Sequence, residues 1–268
     1  MRKSLLPSLF MVVYCLYGYS QYSGIKKFNL TGFDTGFDLV EKSNRELVST
    51  GYVQSGANYP TMFYTCDSAL NITGTNTYTN LGDEGGYRIK KTSDGGYFIM
   101  GYITNGSGSY YPYALKVDAS FVKQWDYKII TITTGWLSDP LYGCMETSDG
   151  NFVITTFGAT SGTAIKFNSA GSVVWNKTYT NASYARSILT SVVEMNDGNY
   201  LCGGFVITSP PTIYSKALLV KLDKNTGNIL SQPLFSVAGT DFSIYDLVSD
   251  AYSKMIGNLV SDHFPTAR

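Results

Sequence analysis

The chain carries one histidine, His263, close to its C-terminal end. Serine and cysteine nucleophiles of the hydrolytic kind need an imidazole beside them, so that chemistry has no base here, and no set of histidines can hold a metal. A calcium loop of the D-x-D-x-D-G type, a P-loop and a G-x-G-x-x-G turn are missing from the sequence as well. Carboxylates could still cleave a glycosidic bond as a pair. Asp83, Glu84, Asp139 and Asp241 fall between repeats, where loops converge, although loop carboxylates more often shape turns. Cys66, Cys144 and Cys202 form no C-x-x-C pair and read as buried apolar thiols. No cofactor is expected. The remaining chemistry is recognition: with 22 tyrosines among 268 residues, the chain has aromatic faces for stacking on sugars or burial against a protein.

Composition sets the frame for those side chains. The chain is 44% hydrophobic and only 15% charged, with 27 glycines, a β-rich extracellular profile able to fill a core. Basic and acidic residues balance at 20 each, so no field draws the protein to nucleic acid. The N-terminus, "MRKSLLPSLFMVVYCLYGYSQ", puts two cations before an apolar stretch and small residues Gly18 and Ser20 before Gln21. This is the pattern of a secretory signal peptide over residues 1–20, too short in its apolar heart to span a bilayer. Residues 21–268 are then the exported domain, with no membrane span after cleavage.

Repetition organises that domain. "TSDGGYFIMGY" (92–102) returns as "TSDGNFVITTF" (147–157) and "MNDGNYLCGGF" (195–205), with an earlier copy, "KSNRELVSTGY" (42–52), and a later one, "SDAYSKMIGNL" (249–259). The copies lie about fifty residues apart. Asp-Gly between apolar runs predicts a hairpin joining strand A to strand B, with turns at Asn44-Arg45, Asp94-Gly95, Asp149-Gly150 and Asp197-Gly198. Each copy continues through a variable loop into a third strand, such as "LKVD" (115–118) or "IKFN" (165–168), and then a fourth, such as "VKQWDYKI" or "SVVWNKTY". Runs like "YFIMGY" are apolar at consecutive positions, so both faces of strand B must be covered. Four antiparallel strands per repeat, covered on both sides, predict an all-β fold of β-propeller type. The blades fall near 34–80, 81–131, 132–181 and 182–237, with a partial one at 238–268.

The pattern T-S-D-G-G-Y-F-I-M-G-Y, then L-K-V-D, then Trp resembles the repeat of secreted β-propeller proteins of the Bacteroidetes, over most of residues 24–260. That resemblance implies an exported propeller, often cargo of the type IX secretion system, though the C-terminal sorting domain of such proteins has no counterpart here. "TSDGGYF" is also similar to the Asp-box of sialidase propellers, and "LDKNTGNIL" (222–230) to the repeat of quinoprotein propellers. The first lacks its final Thr-Trp, and Ser231 stands where the second needs Trp; Trp125 and Trp175 read as packing anchors on the outermost strand. The fifth copy lacks sequence for strands C and D, and "GIKKFNL" (24–30) reads as a lone strand D. The expectation is therefore four complete blades plus partial ones, an incomplete arc of a larger propeller, with a five-bladed ring as the alternative.

Strand alternation puts A–B and C–D turns at one end of the blades and B–C and D–A loops at the other. The A–B end is nearly invariant within the chain and reads as scaffold. The opposite end differs in every blade and is rich in Tyr, Ser, Gly and Asn, a composition suited to adaptable recognition. Tyr59, Tyr110, Tyr111, Trp136, Tyr184 and Tyr214 are the expected contact residues there. The functional expectation is a secreted or cell-surface, non-catalytic module for a glycan or protein ligand. The alternative is an extracellular polysaccharide-directed hydrolase or lyase with loop carboxylates or missing blades carrying catalysis.

Overall fold

The computed structural model describes residues 34–42, 45–55, 58–78, 83–104, 109–130, 142–209, 214–235, 241, 243–249 and 255–260. Trp136, Asp139 and His263, like the N-terminal segment, lie outside the described residues. Every regular element among the described residues is a β-strand. Blade 1 is β1 (Asp34–Glu41), β2 (Leu47–Val53), β3 (Thr61–Cys66) and β4 (Ile72–Tyr78). Blade 2 is β5 (Glu84–Lys91), β6 (Tyr97–Thr104), β7 (Tyr110–Val117) and β8 (Lys123–Lys128). Blade 3 is β9 (Gly143–Glu146), β10 (Phe152–Phe157), β11 (Gly162–Phe167) and β12 (Val173–Tyr179). Blade 4 is β13 (Arg186–Glu194), β14 (Tyr200–Ile207), β15 (Ser215–Leu222) and an outer strand that Pro233 breaks into β16 (Ile229–Ser231) and β17 (Leu234–Phe235). A fifth sheet pairs β18 (Ser243–Ser249) with β19 (Met255–Val260). All pairings are antiparallel, and in each of the four full blades the strands lie side by side in chain order. The protein is a β-propeller.

The B strands show why the apolar runs were needed. Every residue of β6 and of β10 is buried. Within β6, Phe98 and Met100 join the core shared with blade 3, while Tyr97, Ile99 and Ile103 join the core shared with blade 1. Val153 of β10 packs with Leu189, Cys202 and Leu218 of blade 4, and Leu201 and Ala217 pack with Ile244 and Leu247 of the fifth sheet. Each sheet is thus a wall between two cores. Cys66, Cys144 and Cys202 are buried thiols. Trp125 donates its indole N–H to Ser169 O in the next blade (3.0 Å), and Trp175 does the same to Lys224 O (3.2 Å), so both tie outer strands together.

Inner strands carry a bulge at Phe37, Tyr87 and Thr190, where the register with strand B slips by one residue. The bulge pushes backbone against strand B. A Cβ on Gly51, Gly101 or Gly204 would stand 1.7, 1.8 or 1.9 Å from the carbonyl oxygen of Thr35, Gly85 or Ile188. Only glycine fits there. Blade 3 has Thr156 in that column, and its inner strand β9 pairs no further than Gly143 with Thr155.

The A–B turns sit one residue earlier than the sequence pattern suggested. A primed two-residue turn needs positive φ at both centres, but among these residues φ is positive at Gly95 (83°), Gly150 (73°) and Gly198 (76°) and not at the aspartates. Thr92, Thr147 and Met195 carbonyls accept the N–H of Gly95, Gly150 and Gly198 at 2.8–2.9 Å. This is a three-residue loop, a type I turn followed by a left-handed glycine. In blade 1 Arg45 takes the glycine's place at φ 63°; Asn44 lies outside the described residues.

Candidate functional site: the axial cleft at the A–B turns

The turn residues are held by charge. Lys116, 2% exposed, reaches from strand C to Asp94 at 2.8 Å, and Lys166, 5% exposed at its side chain, reaches Asp149 at 3.2 Å. Lys221 and Asp197 repeat the pair at 2.6 Å. Burial opposes ionisation of Asp94, but bonds from Lys116, Thr92 and the Gly96 N–H outweigh it and hold the carboxyl well below the usual range. Asp149 is held down to about 2, with burial again opposing and Thr147, Lys166 and Asn151 prevailing. The Lys221 hydrogen bond, with help from Asn199, does the same for Asp197, to about 2. In blade 1 the sequence replaces both partners at once, with Asn44 for the aspartate and Thr65 for the lysine. A buried cation without its anion is costly, so the two positions change together.

Serine in the same turn does a second job. Ser93 donates its N–H and its hydroxyl to the two carboxylate oxygens of Glu146 in the next blade, at 2.6 and 2.7 Å. Ser148 donates to Glu194 in the same way, at 2.6 and 2.7 Å. Two successive blade junctions are therefore clamped turn to inner strand. Nearer the axis, Asp38 accepts the Ile89 N–H of the next blade (3.0 Å) and the Leu39 N–H (3.0 Å), and Arg88 Nε donates to Tyr142 O of the next blade (3.1 Å). Thr190 donates its hydroxyl to Ile244 O (2.5 Å).

These inner strands and turns enclose a cleft of about 850 Å³, within the roughly 300–1,000 Å³ of small-ligand sites. Arg88, Lys90, Ser191 and Asp246 line its wall, and Ser93, Ser148, Glu146 and Glu194 form its turn-side rim. Burial pushes the Cys144 thiol in the wall up to about 12, and the charges of Lys90, Asp38, Arg88 and Asp246 all act on it. Arg88 and Lys90 of β5 and Asp246 of β18 thus bring three charged side chains to one cleft. Among the described residues, no group of three or more His, Cys, Asp or Glu is arranged to hold a metal ion. No helix among them is long and apolar enough to cross a membrane.

The tyrosines singled out from the sequence lie at the other end, spread over separate blades. Tyr59 packs edge-on against Tyr52 at 5.8 Å, and its N–H donates to Asp83 (2.9 Å). Tyr110 lies 5.4 Å from Tyr102 in the same blade, and Tyr111 carries Lys128 over its ring at 4.5 Å. Tyr184 leans on the core between blades 3 and 4, with Lys216 over its ring at 5.4 Å. Tyr214 is 44% exposed, the most open of the set described. Among the loop carboxylates, Asp83 accepts from Tyr59, Asp241 accepts the Ser215 N–H (2.6 Å), and Glu84 is buried. Sequence reasoning missed Arg88, Lys90, Ser191 and Asp246. Their column differs in chemistry from blade to blade, and the inner-strand bulge that sets its phase leaves no local signature.

No family model matches the chain, and no curated protein does. Among solved structures, a protein of unknown function from Dyadobacter fermentans is 11% identical and superposes with a TM-score of 0.54 over 83% of this chain and 74% of that one. A glucose dehydrogenase is 8% identical, with a TM-score of 0.51 over 90% of this chain and 86% of that one. A polysaccharide lyase is 11% identical, with a TM-score of 0.47 over 86% of this chain and 55% of that one. At such identities the likeness to the first two is one of fold alone.

Proposed function

We propose that this chain is an exported, non-catalytic propeller that binds a glycan or a protein. The observation that carries the reading is the state of the carboxylates around the cleft. Glu146 and Glu194 each have both oxygens engaged by a serine of the neighbouring turn, and Asp38 has both engaged by backbone N–H groups. Acid–base catalysis of glycosyl transfer needs two carboxyl groups able to exchange protons with substrate and water. Carboxylates tied into such bonds are structural, which leaves Asp246 as the cleft carboxylate with a spare oxygen among the described residues, short of the pair that the chemistry needs. The export part of the reading rests on the signal-peptide pattern of residues 1–20 and on the resemblance of the blades to secreted propellers. Tyr214, exposed at the B–C end, offers a second point of contact, suited to a protein partner.

The test is to screen the purified full chain against an oligosaccharide array and in protein pull-downs, then incubate every bound glycan with the protein and analyse the products. The expected result is binding with the glycan recovered intact. New reducing ends or unsaturated ends on a bound glycan would overturn the reading in favour of a hydrolase or a lyase.

A further inference from the structure

Resting on that reading, we infer that the axial cleft is the binding site and that its ligand is a neutral, hydroxyl-rich oligosaccharide held between Lys90 and Arg88 on one side and Asp246 on the other. The argument starts from unused hydrogen-bonding capacity. Lys90 is exposed to the cleft and makes no hydrogen bond or ion pair to any described residue. Arg88 uses Nε on Tyr142 O, and its two terminal nitrogens bond to no described residue. Asp246 accepts the Leu247 N–H on Oδ1 (3.0 Å), and Oδ2 is left over.

The balance of these groups selects the chemistry. Spare donors and a spare acceptor line the same cleft, so an oligosaccharide spanning it can meet them together. A sugar hydroxyl donates and accepts through one atom, which satisfies both sides of such a site. The formal charges of the lining exclude the anionic alternative. Arg88 and Lys90 share the lining with Glu146, Glu194 and Asp246. A uronate or sulfated chain would bring anions into a wall that is already net negative. Met145, half-buried in the lining, provides apolar surface for the C–H face of a pyranose ring.

Two isosteric changes probe this without dismantling the fold. Asp246→Asn keeps the oxygen that accepts Leu247 N–H and turns the spare acceptor into a donor. Lys90→Met removes the spare cation and no other bond. Titration calorimetry would use neutral gluco-, manno- and galacto-oligosaccharides beside oligogalacturonate and hyaluronan oligomers, at 50 and 500 mM NaCl. The expected result is binding of at least one neutral oligosaccharide, weakened about tenfold or more by either change, with little salt dependence. Thermal melting of both variants should match wild type, and Val174→Ala, exposed on the outer strand of blade 3, should bind normally. Four outcomes would overturn the inference: no neutral oligosaccharide binds, the acidic ones bind as well or better, both variants fold and bind like wild type, or Tyr214→Ala alone abolishes binding. A glycan or protein bound through the B–C end would leave the binding-module reading standing while removing the cleft from it.

Discussion

At Asp94 the physics of the repeat is concentrated in a single side chain. Its carboxylate closes the turn by accepting the Gly96 N–H (3.0 Å) and compensates the Lys116 ammonium, which is almost fully buried (2.8 Å). Asp94→Asn should keep the turn bond and strand the cation, at a cost of roughly 1.5–3 kcal/mol in denaturant unfolding. Adding Lys116→Met should recover most of that loss, because the neutral pairing is what blade 1 already uses. The same pairs set the acid limb of stability. Asp149 has its folded value depressed from 3.8 to about 2, and Asp94 and Asp197 shift the same way. Depressed carboxylates stabilise the fold fully above the unfolded value and lose that contribution as pH falls through the folded one. Melting temperature should therefore drop between pH 4 and 2, less steeply in the Asp94→Asn/Lys116→Met protein; identical acid limbs would count against the pair. The sequence showed that these aspartates recur, and assigned the recurrence to turn geometry alone. The lysine partner was in plain view in "LKVD" and "IKFN", but only the strand register, Phe98 opposite Lys116 and Val153 opposite Lys166, shows that it points back to the turn.

An inner strand and its neighbour are built as a matched pair. The bulges at Phe37, Tyr87 and Thr190 aim side chains of the inner strand at the following blade and press backbone against Gly51, Gly101 and Gly204. Gly101→Ala would place a methyl group 1.8 Å from Gly85 O, so the strands must part and lose ladder bonds, at about 3 kcal/mol. Thr156→Gly in blade 3 meets no such wall and should cost about 1 kcal/mol, the ordinary penalty for glycine in a strand. Equal losses at the two sites in urea unfolding would refute this account of the column. Strand order and burial were legible in advance, since "YFIMGY" and "FVITTF" announce walls between cores and the fifty-residue spacing announces blades. The column Gly51, Gly101, Thr156 and Gly204 recurs in the aligned repeats as well. What it encodes is contact within one sheet, between B and a bulged A strand. A bulge adds one residue without any compositional mark, and every position above it shifts phase, which is why the cleft's side chains could not be assigned from the sequence.

At the scale of the whole molecule, the blades are coupled only to their neighbours, so stability should vary along the array. The junctions of blades 2 with 3 and 3 with 4 each carry a serine–glutamate clamp, an indole-to-carbonyl bond and a large shared core. At the junction of blade 4 with the fifth sheet, the sequence puts Asn196 in place of the serine and Ser249 in place of the glutamate. The core there is small, built around Val193, Leu201, Ala217, Ile244 and Leu247, with the Thr190–Ile244 bond beside it. Only two strands, β18 and β19, are described on the far side. Among the described residues, opening that sheet disrupts one small core, whereas opening blade 3 disrupts two larger cores and two clamps. Native-state amide exchange should therefore separate the molecule into two classes. Peptides from β6, β10 and β14 should exchange only through the global transition, and those from β18 and β19 through local opening that is faster by orders of magnitude and nearly independent of low denaturant. Ser93→Ala combined with Ser148→Ala should narrow the gap by loosening the clamped junctions while leaving β18 and β19 unchanged. Uniform protection from β6 to β19 would mean that the fifth sheet is coupled to the array more tightly than these contacts provide.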